Sequence, residues 1–313
     1  MGAIQPPNPY ILLRAAGAIA RTNGCGSGAA ADLASEFPVV KMPRIIYGTA
    51  WKKESTAELC HMALREGFRG FDTACQPKHY NQRGLGEALS EAFSQMNIKR
   101  DELYIQTKFT PVGGQDPNSI PYDPQLPIRE QVKKSIQVSL KELGLDYIDA
   151  VLLHSPLDTM EETLEAWRGL EAAVDSGYVR VLGISNCYSL SDLQQLHSAA
   201  KVKPAIVQNR FYAATGYDAE LRAWCRGNQV VYQGFWTLTA NPHILRNPVI
   251  TRIASRLRCS PEQLWFRYLI HRDIVPLAGP KDVNHMEDDM ECVKMPLLQS
   301  LCDRLDAVLP CSE

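Results

Sequence analysis

Residues 101–155 decide the fold: DELYIQTKF (101–109), a Gly- and Pro-rich loop from Pro111 to Pro127, IREQVKKSIQVSLKELG (128–144) and DYIDAVLLHS (146–155). The first and last runs are short, apolar and rich in aromatic or β-branched residues, as strands are. The longer amphipathic run between them reads as a helix. A strand, a helix and a strand in that order predict parallel pairing through a right-handed crossover.

The same unit recurs on both sides. Toward the N-terminus, RIIYGTAW (44–51) precedes the helix STAELCHMALREG (55–67), for which Gly67 is a C-cap candidate, and GFRGFDT (67–73) precedes QRGLGEALSEAFSQ (82–95). Toward the C-terminus follow TMEETLEAWRGLEAAVDSG, YVRVLGISN with SLSDLQQLHSAA, KPAIVQNRF with GYDAELRAWCRG, and QVVYQGFWT with helical sequence at ILRNPVITRIASRL and PEQLWFRYLIH. DIVPLAG is the last strand, followed by VNHMEDDMECV and a final helix near LQSLCDRLDAV. Eight such repeats without a compositional break predict a single-domain α/β fold, a closed (β/α)8 or TIM barrel spanning 41–313. A doubly wound open sheet is disfavoured, because GTAWKKE after the first strand lacks the G-x-G-x-x-G fingerprint.

Residues 1–40 read as a flexible N-terminal extension, low in complexity around GCGSGAAADLAS. The first 31 residues lack acids and carry Arg14 and Arg21, a weak likeness to a mitochondrial transit peptide. A disordered Gly/Ala-rich segment is the simpler reading, and cytoplasmic localisation is the expectation. Net charge is −2, so no strong field draws the chain to nucleic acid or an anionic membrane. No apolar run approaches the roughly 20 residues of a membrane span. Nine scattered cysteines without a CxxC pair suggest neither a disulfide framework nor a zinc site, and no metal is expected.

In such a barrel the chemistry sits at the C-terminal strand ends. Asp72, Lys108 and His154 end successive strands, and Tyr80 lies in the loop after the second. Tyrosine is a poor acid at neutral pH, but a nearby ammonium favours its phenolate. Lys108 supplies that charge, Asp72 orients Lys108, and His154 donates to a developing oxyanion or shares the proton relay. Each residue alone has a simpler reading: a solvated lysine, a hydrogen-bonded structural histidine, a helix-capping aspartate. Their joint placement is what marks a site. Its product is a proton donor aimed at a carbonyl oxygen, whose natural counterpart is a hydride donor.

GFRGFDTA, KHYNQRGLGEAL, YIQTKF, LLHSP, GISNCY and VQNRF resemble the signature blocks of the aldo-keto reductases, in order over roughly residues 42 to 292. The likeness is greatest to a subgroup with KHYN and PVGGQDP-type blocks. The resemblance implies a (β/α)8 barrel and NAD(P)H-dependent reduction of an aldehyde or ketone, as in an alcohol dehydrogenase (NADP+) type enzyme. It gives Tyr80 the role of acid, tuned by Lys108 and Asp72, with His154 orienting the carbonyl. It also implies cofactor contacts: Ser185, Asn186 and Gln208 on the nicotinamide carboxamide, Tyr232 stacked on its ring, and Thr49 near the same rim.

At the phosphate end the chain departs from the family. Leu277 and Ala278 stand where many members carry Lys-Ser, and no Arg follows. Lys281 and His285 are the cations in reach, an anion is expected at the N-terminus of the helix near Asp282, and Asp288 or Glu287 near the adenine. NADP(H) is favoured and NAD(H) remains an alternative. Gln82 replaces a glutamate common after Tyr-Asn. The resemblance implies an aromatic substrate pocket from Trp51, Phe109, Tyr188 and Trp236, suited to a moderately apolar carbonyl compound. A monomer acting on a small molecule is expected, in general detoxification or a specialised biosynthetic pathway. The alternative is a nucleotide-sensing regulatory protein on a reductase fold.

Overall fold

The computed structural model describes residues 3–4, 6–15 and 39–308. Eight parallel strands close into a barrel: β1 (Ile46–Gly48), β2 (Gly70–Asp72), β3 (Tyr104–Phe109), β4 (Ile148–Leu153), β5 (Val179–Ser185), β6 (Ile206–Arg210), β7 (Val231–Phe235) and β8 (Ile274–Ala278). β8 pairs with β1 through Leu277↔Ile46 and closes the ring. The expected barrel is therefore present, with strands shorter than the apolar runs: β1 keeps three residues of RIIYGTAW.

Helices cover the outside: α1 (Thr56–Arg65), α2 (Gln82–Gln95), α3 (Ile128–Leu143), α4 (Met160–Asp175), α5 (Leu190–Ala199), α6 (Ala219–Gly227), α7 (Pro248–Leu257), α8 (Pro261–His271), α9 (Val283–Lys294) and α10 (Gln299–Asp306). Local sequence explains their ends. Thr159 and Glu162 form a reciprocal capping box on α4, as Ser260 and Gln263 do on α8. Gly67 follows α1 with φ of 99°, which a side chain would resist. No described helix is long and apolar enough to cross a membrane.

The core has two parts. The larger lies between the strands' outward residues and the helices, around Phe68, Trp167 and Trp265. The smaller fills the lower barrel with Ile46, Tyr104, Leu152, Val181, Ile206 and Val275. It also includes Leu13, Val40 and Met42, which come from a hairpin of Tyr10–Arg14 with Val39–Pro43. This corrects the expectation of a flexible extension for those residues. The apolar alternation that buries Leu13, Val40 and Met42 plugs the bottom of the barrel. Ala3–Ile4 also pairs with Leu297–Leu298, whereas GCGSGAAADLAS lies outside the described residues.

The helix shell is packed too closely at one point to accept a single methyl group. A Cβ on Gly86 in α2 would lie 2.2 Å from the Glu142 carbonyl oxygen of α3. Gly86→Ala is therefore expected to lower stability by ~1–3 kcal/mol or more, measured as a lower urea midpoint with an unchanged slope. An unchanged midpoint would contradict this packing.

Candidate active site

The strand register places the polar groups side by side. Asp72 at the end of β2 is level with Gln106 on β3, and Gln208 on β6 pairs with Ser185 and Gln233. Because side chains alternate along a strand, Gln106 and Lys108 both point into the barrel. Lys108 Nζ donates to Asp72 Oδ1 and Oδ2 at 2.7 and 2.6 Å and to the Thr73 carbonyl at 3.0 Å. The pair is almost fully buried. Half-buried Tyr80 covers it, with Lys108 Nζ 5.1 Å from its ring centroid. The His154 ring lies 6.1 Å from that of Tyr80, edge to face. All four expected residues therefore meet at one end of the barrel.

The electrostatics differ from the sequence expectation in one respect. Lys108 does not hold Tyr80 below its ordinary range; burial, and then the Asp72 charge, push the hydroxyl up. Asp72 offsets the ammonium that was expected to favour the phenolate. Burial likewise pulls Lys108 down, opposed by Asp72. Burial and then the Lys108 charge hold His154 well below the usual range, so its imidazole is neutral. Its Nδ1 lies 2.6 Å from Thr110 Oγ1. When the Thr110 hydroxyl donates there, Nε2 carries the ring proton.

Above this group a cavity of about 720 Å³ runs from Tyr80 and His154, past Ser185, Asn186 and Gln208, to Lys281, His285, Asp288 and Asp289. Trp51 and Trp236 line it as expected. Both, with Asn186, hold φ between 52° and 62°, a left-handed conformation unusual for residues other than glycine. Asn186 donates through Nδ2 to the His154 carbonyl at 2.9 Å. Gln208 spends its Nε2 hydrogens on Asp72 and on Gln233, which leaves Oε1 as its free acceptor.

Four expected residues lie elsewhere. Tyr232 points outward into the helix layer, its hydroxyl donating to Asp218 at 2.9 Å; inward Gln233 sets that parity, so Phe235 rather than Tyr232 lines the cavity. Thr49 is fully buried and ties β1 to β2 by donating to the Asp72 carbonyl. Phe109 also points outward, 5.6 Å from the Tyr122 ring. Tyr188 stands beside the site and donates to Asn186 Oδ1 at 3.4 Å. The N-terminus of α9 is no open anion site, because Asp282 accepts from the Asn284 and His285 amides. Glu287 is exposed and outside the cavity, whereas Asp288 lines it and accepts from Gln263 at 3.0 Å.

The sequence reading missed Lys52 and His79 as well as Phe235. Lys52 is buried at the cavity wall and donates to the Gly279 carbonyl at 3.1 Å. His79 packs against Trp51 at a tilt of 40° with ring centroids 3.9 Å apart, and its Nδ1 has no hydrogen-bond partner. Each immediately precedes or follows a residue the sequence reading named, which is the signal that would have found them.

A neutral imidazole, a buried Lys108–Asp72 pair under a tyrosine and a cleft leading away from them thus meet at one end of the barrel. A sequence model of the Aldo/keto reductase family matches residues 44–310, and the chain belongs to that family. It is 30% identical over 256 residues to an aldo-keto reductase of Bombyx mori, covering 76% of this chain and 77% of that one. It is 28% identical over 246 residues to glyoxal reductase of Bacillus subtilis, covering 79% and 80% respectively. The fold resembles an aldo-keto reductase enzyme from a Medee basin deep-sea metagenome library, with TM-score 0.73, 24% identity, and 85% and 91% of the two chains covered.

One cavity group makes stability depend on pH. Burial, and then Asp288, push the Asp289 carboxyl up to about 7. An unfolded aspartate titrates near pH 4, so between the two values only the folded chain keeps the proton. Above about pH 7 folding therefore buries a charge at a cost, which disappears as pH falls toward 4. Asp289→Asn is expected to raise Tm at pH 8, by the equivalent of ~2–4 kcal/mol, and leave it unchanged near pH 3.5. Equal Tm values at pH 8 would refute this.

Proposed function

We propose that this protein reduces an aldehyde or ketone to the alcohol with NAD(P)H, with Tyr80 as proton donor. The observation that carries the reading is the buried Asp72–Lys108 pair beneath Tyr80, at 2.6 Å, on the floor of a cleft of about 720 Å³. The residues present fit that cofactor. Thr237 lines the cleft with a buried hydroxyl that has no partner in the protein. Ser185, Asn186 and Gln208 present polar groups near the reacting end, and Phe235 an aromatic face. Bound NAD(P)H supplies a hydride to the carbonyl carbon.

His154 Nε2–H and the Tyr80 hydroxyl both donate to the carbonyl oxygen and draw electron density from its carbon. As the oxygen becomes an alkoxide, which is more basic than a phenolate, the Tyr80 proton moves to it. Lys108 then stabilises the phenolate left behind, and burial drives that phenolate to recover a proton from solvent. The high affinity of Tyr80 for its proton thus keeps the donor loaded at neutral pH. Trp51, His79 and Trp236 form the substrate end of the cleft.

NADP(H) is the favoured cofactor, because Lys52, Lys281 and His285 place basic groups along the far part of the cleft. Burial pulls the Lys52 amine down to about 8. Below that pH it meets a phosphate as an ammonium; above it, binding must first recruit a proton. NADPH affinity is therefore expected to weaken as pH rises through about 8, by up to ~10-fold per unit, and Lys52→Met should flatten the profile. Tyr80→Phe is expected to lower kcat ~10²–10⁴-fold while NADPH fluorescence titrations give an unchanged Kd. Retained turnover in Tyr80→Phe would remove it as donor, and a pH-independent wild-type Kd would remove Lys52 from the phosphate site.

A further inference from the structure

Beneath the site the barrel axis holds three glutamines, Gln106, Gln208 and Gln233, each at most 2% exposed. Gln106 and Gln233 form a reciprocal amide pair, each donating Nε2–H to the other's Oε1 at 2.9 Å. The second Nε2 hydrogen of Gln106 goes to Asp72 Oδ1 at 2.6 Å. Gln208 donates to the same oxygen at 3.0 Å and to Gln233 Oε1 at 2.9 Å. Tyr104 donates to Gln106 Oε1 at 2.7 Å, and Gln233 Nε2 ends on the Met42 sulfur at 3.2 Å.

The direction of this network is forced. Ionised Asp72 only accepts, so Gln106 and Gln208 must present Nε2 to it. Their remaining hydrogens then have one acceptor between them, Gln233 Oε1, which turns the Gln233 amide to face Gln106 Oε1. Every N–H of the three amides is spent. Apolar side chains of similar size would fill the same space without any such demand, often at no loss of stability. The arrangement thus makes little sense as core packing and good sense as a cradle for Asp72.

We propose that Gln106 and Gln233 are positioning residues for the proton transfer: the amide pair fixes the Asp72 carboxylate, and through it the Lys108 ammonium under Tyr80. The inference rests on the reading of Tyr80 as donor. Gln106 acts on Asp72 directly. Gln233 acts at one remove, by accepting from both Gln106 and Gln208 and so fixing the orientation of the two amides that donate to Asp72. With the pair gone, Asp72 Oδ1 keeps only Lys108 and Gln208, and the carboxylate gains freedom to rotate away from the geometry that Lys108 requires.

The test compares the full chain with the Gln106→Met/Gln233→Met double variant, Gln106→Glu, and Tyr80→Phe. In the double variant kcat should fall about 10- to 100-fold, with KM and the NADPH Kd within about twofold and Tm equal to or above that of the parent chain. A kcat within twofold of the parent overturns the proposal, as does a loss of turnover that only tracks a lower Tm. Gln106→Glu decides the matter even if the double variant does not fold. Its carboxyl would face Asp72, the Tyr104 hydroxyl and the Gln233 amide, with Lys108 bonded to the far side of Asp72. Protonated, it donates to Asp72 as the amide did; ionised, it repels Asp72. Its turnover relative to the parent should therefore decline as pH rises from about 6 to 9, and a flat ratio overturns the proposal. Tyr80→Phe separates the two readings: if it stays active the reductase mechanism fails, whereas a dead Tyr80→Phe beside fully active glutamine variants rejects only the positioning role.

Discussion

An ammonium and a carboxylate, 2.6 Å apart and out of contact with water, set the terms for the rest of this molecule. Two charges in such a place are costly to bury and costly to separate, since removing one partner strands the other. The pair persists because the surrounding chain completes the coordination of both. The Thr73 carbonyl takes one Lys108 hydrogen, and two glutamine amides supply Asp72. Strand register delivers these groups: Asp72 and Gln106 are neighbours across one ladder, Gln208 and Gln233 across another. The barrel is what brings donors separated by more than a hundred residues to a single oxygen.

That interior contrasts with the cleft above it. Below Asp72 every side-chain amide hydrogen of Gln106, Gln208 and Gln233 is satisfied within the protein. Above it, Thr237 and His79 present polar atoms with no protein partner, and Trp51, Asn186 and Trp236 hold left-handed backbone conformations. A rigid, satisfied base under an unsatisfied, strained rim is the distribution expected where binding supplies the missing contacts.

The barrel and its four polar residues were legible in the sequence because both rest on order along the chain. Strand–helix alternation fixes the architecture, and a polar residue ending an apolar run falls on the reactive rim. What escaped depends on parity or on distant contacts. The family resemblance placed Tyr232 on the nicotinamide ring, but inward Gln233 turns it to the helices and brings Phe235 inside. Lys52 is one of two consecutive lysines and reads as solvated until Gly279, far along the chain, is seen to bury it. The Asp282 cap reverses the expected anion site by filling the amides itself. The hairpin of residues 10–14 and 39–43 was hidden because a low-complexity stretch separates its strands.

That hairpin reaches further than its position suggests. Met42 seals the lower mouth of the barrel and also ends the amide chain that begins at Asp72. By keeping solvent from entering along the axis, it holds the local permittivity low and so strengthens every charge–dipole contact on Asp72. The segment recognised as the family begins at residue 44. The medium around the Asp72–Lys108 pair is thus set in part by residues that precede that segment, and part of this protein's electrostatic insulation lies outside its family-defining sequence.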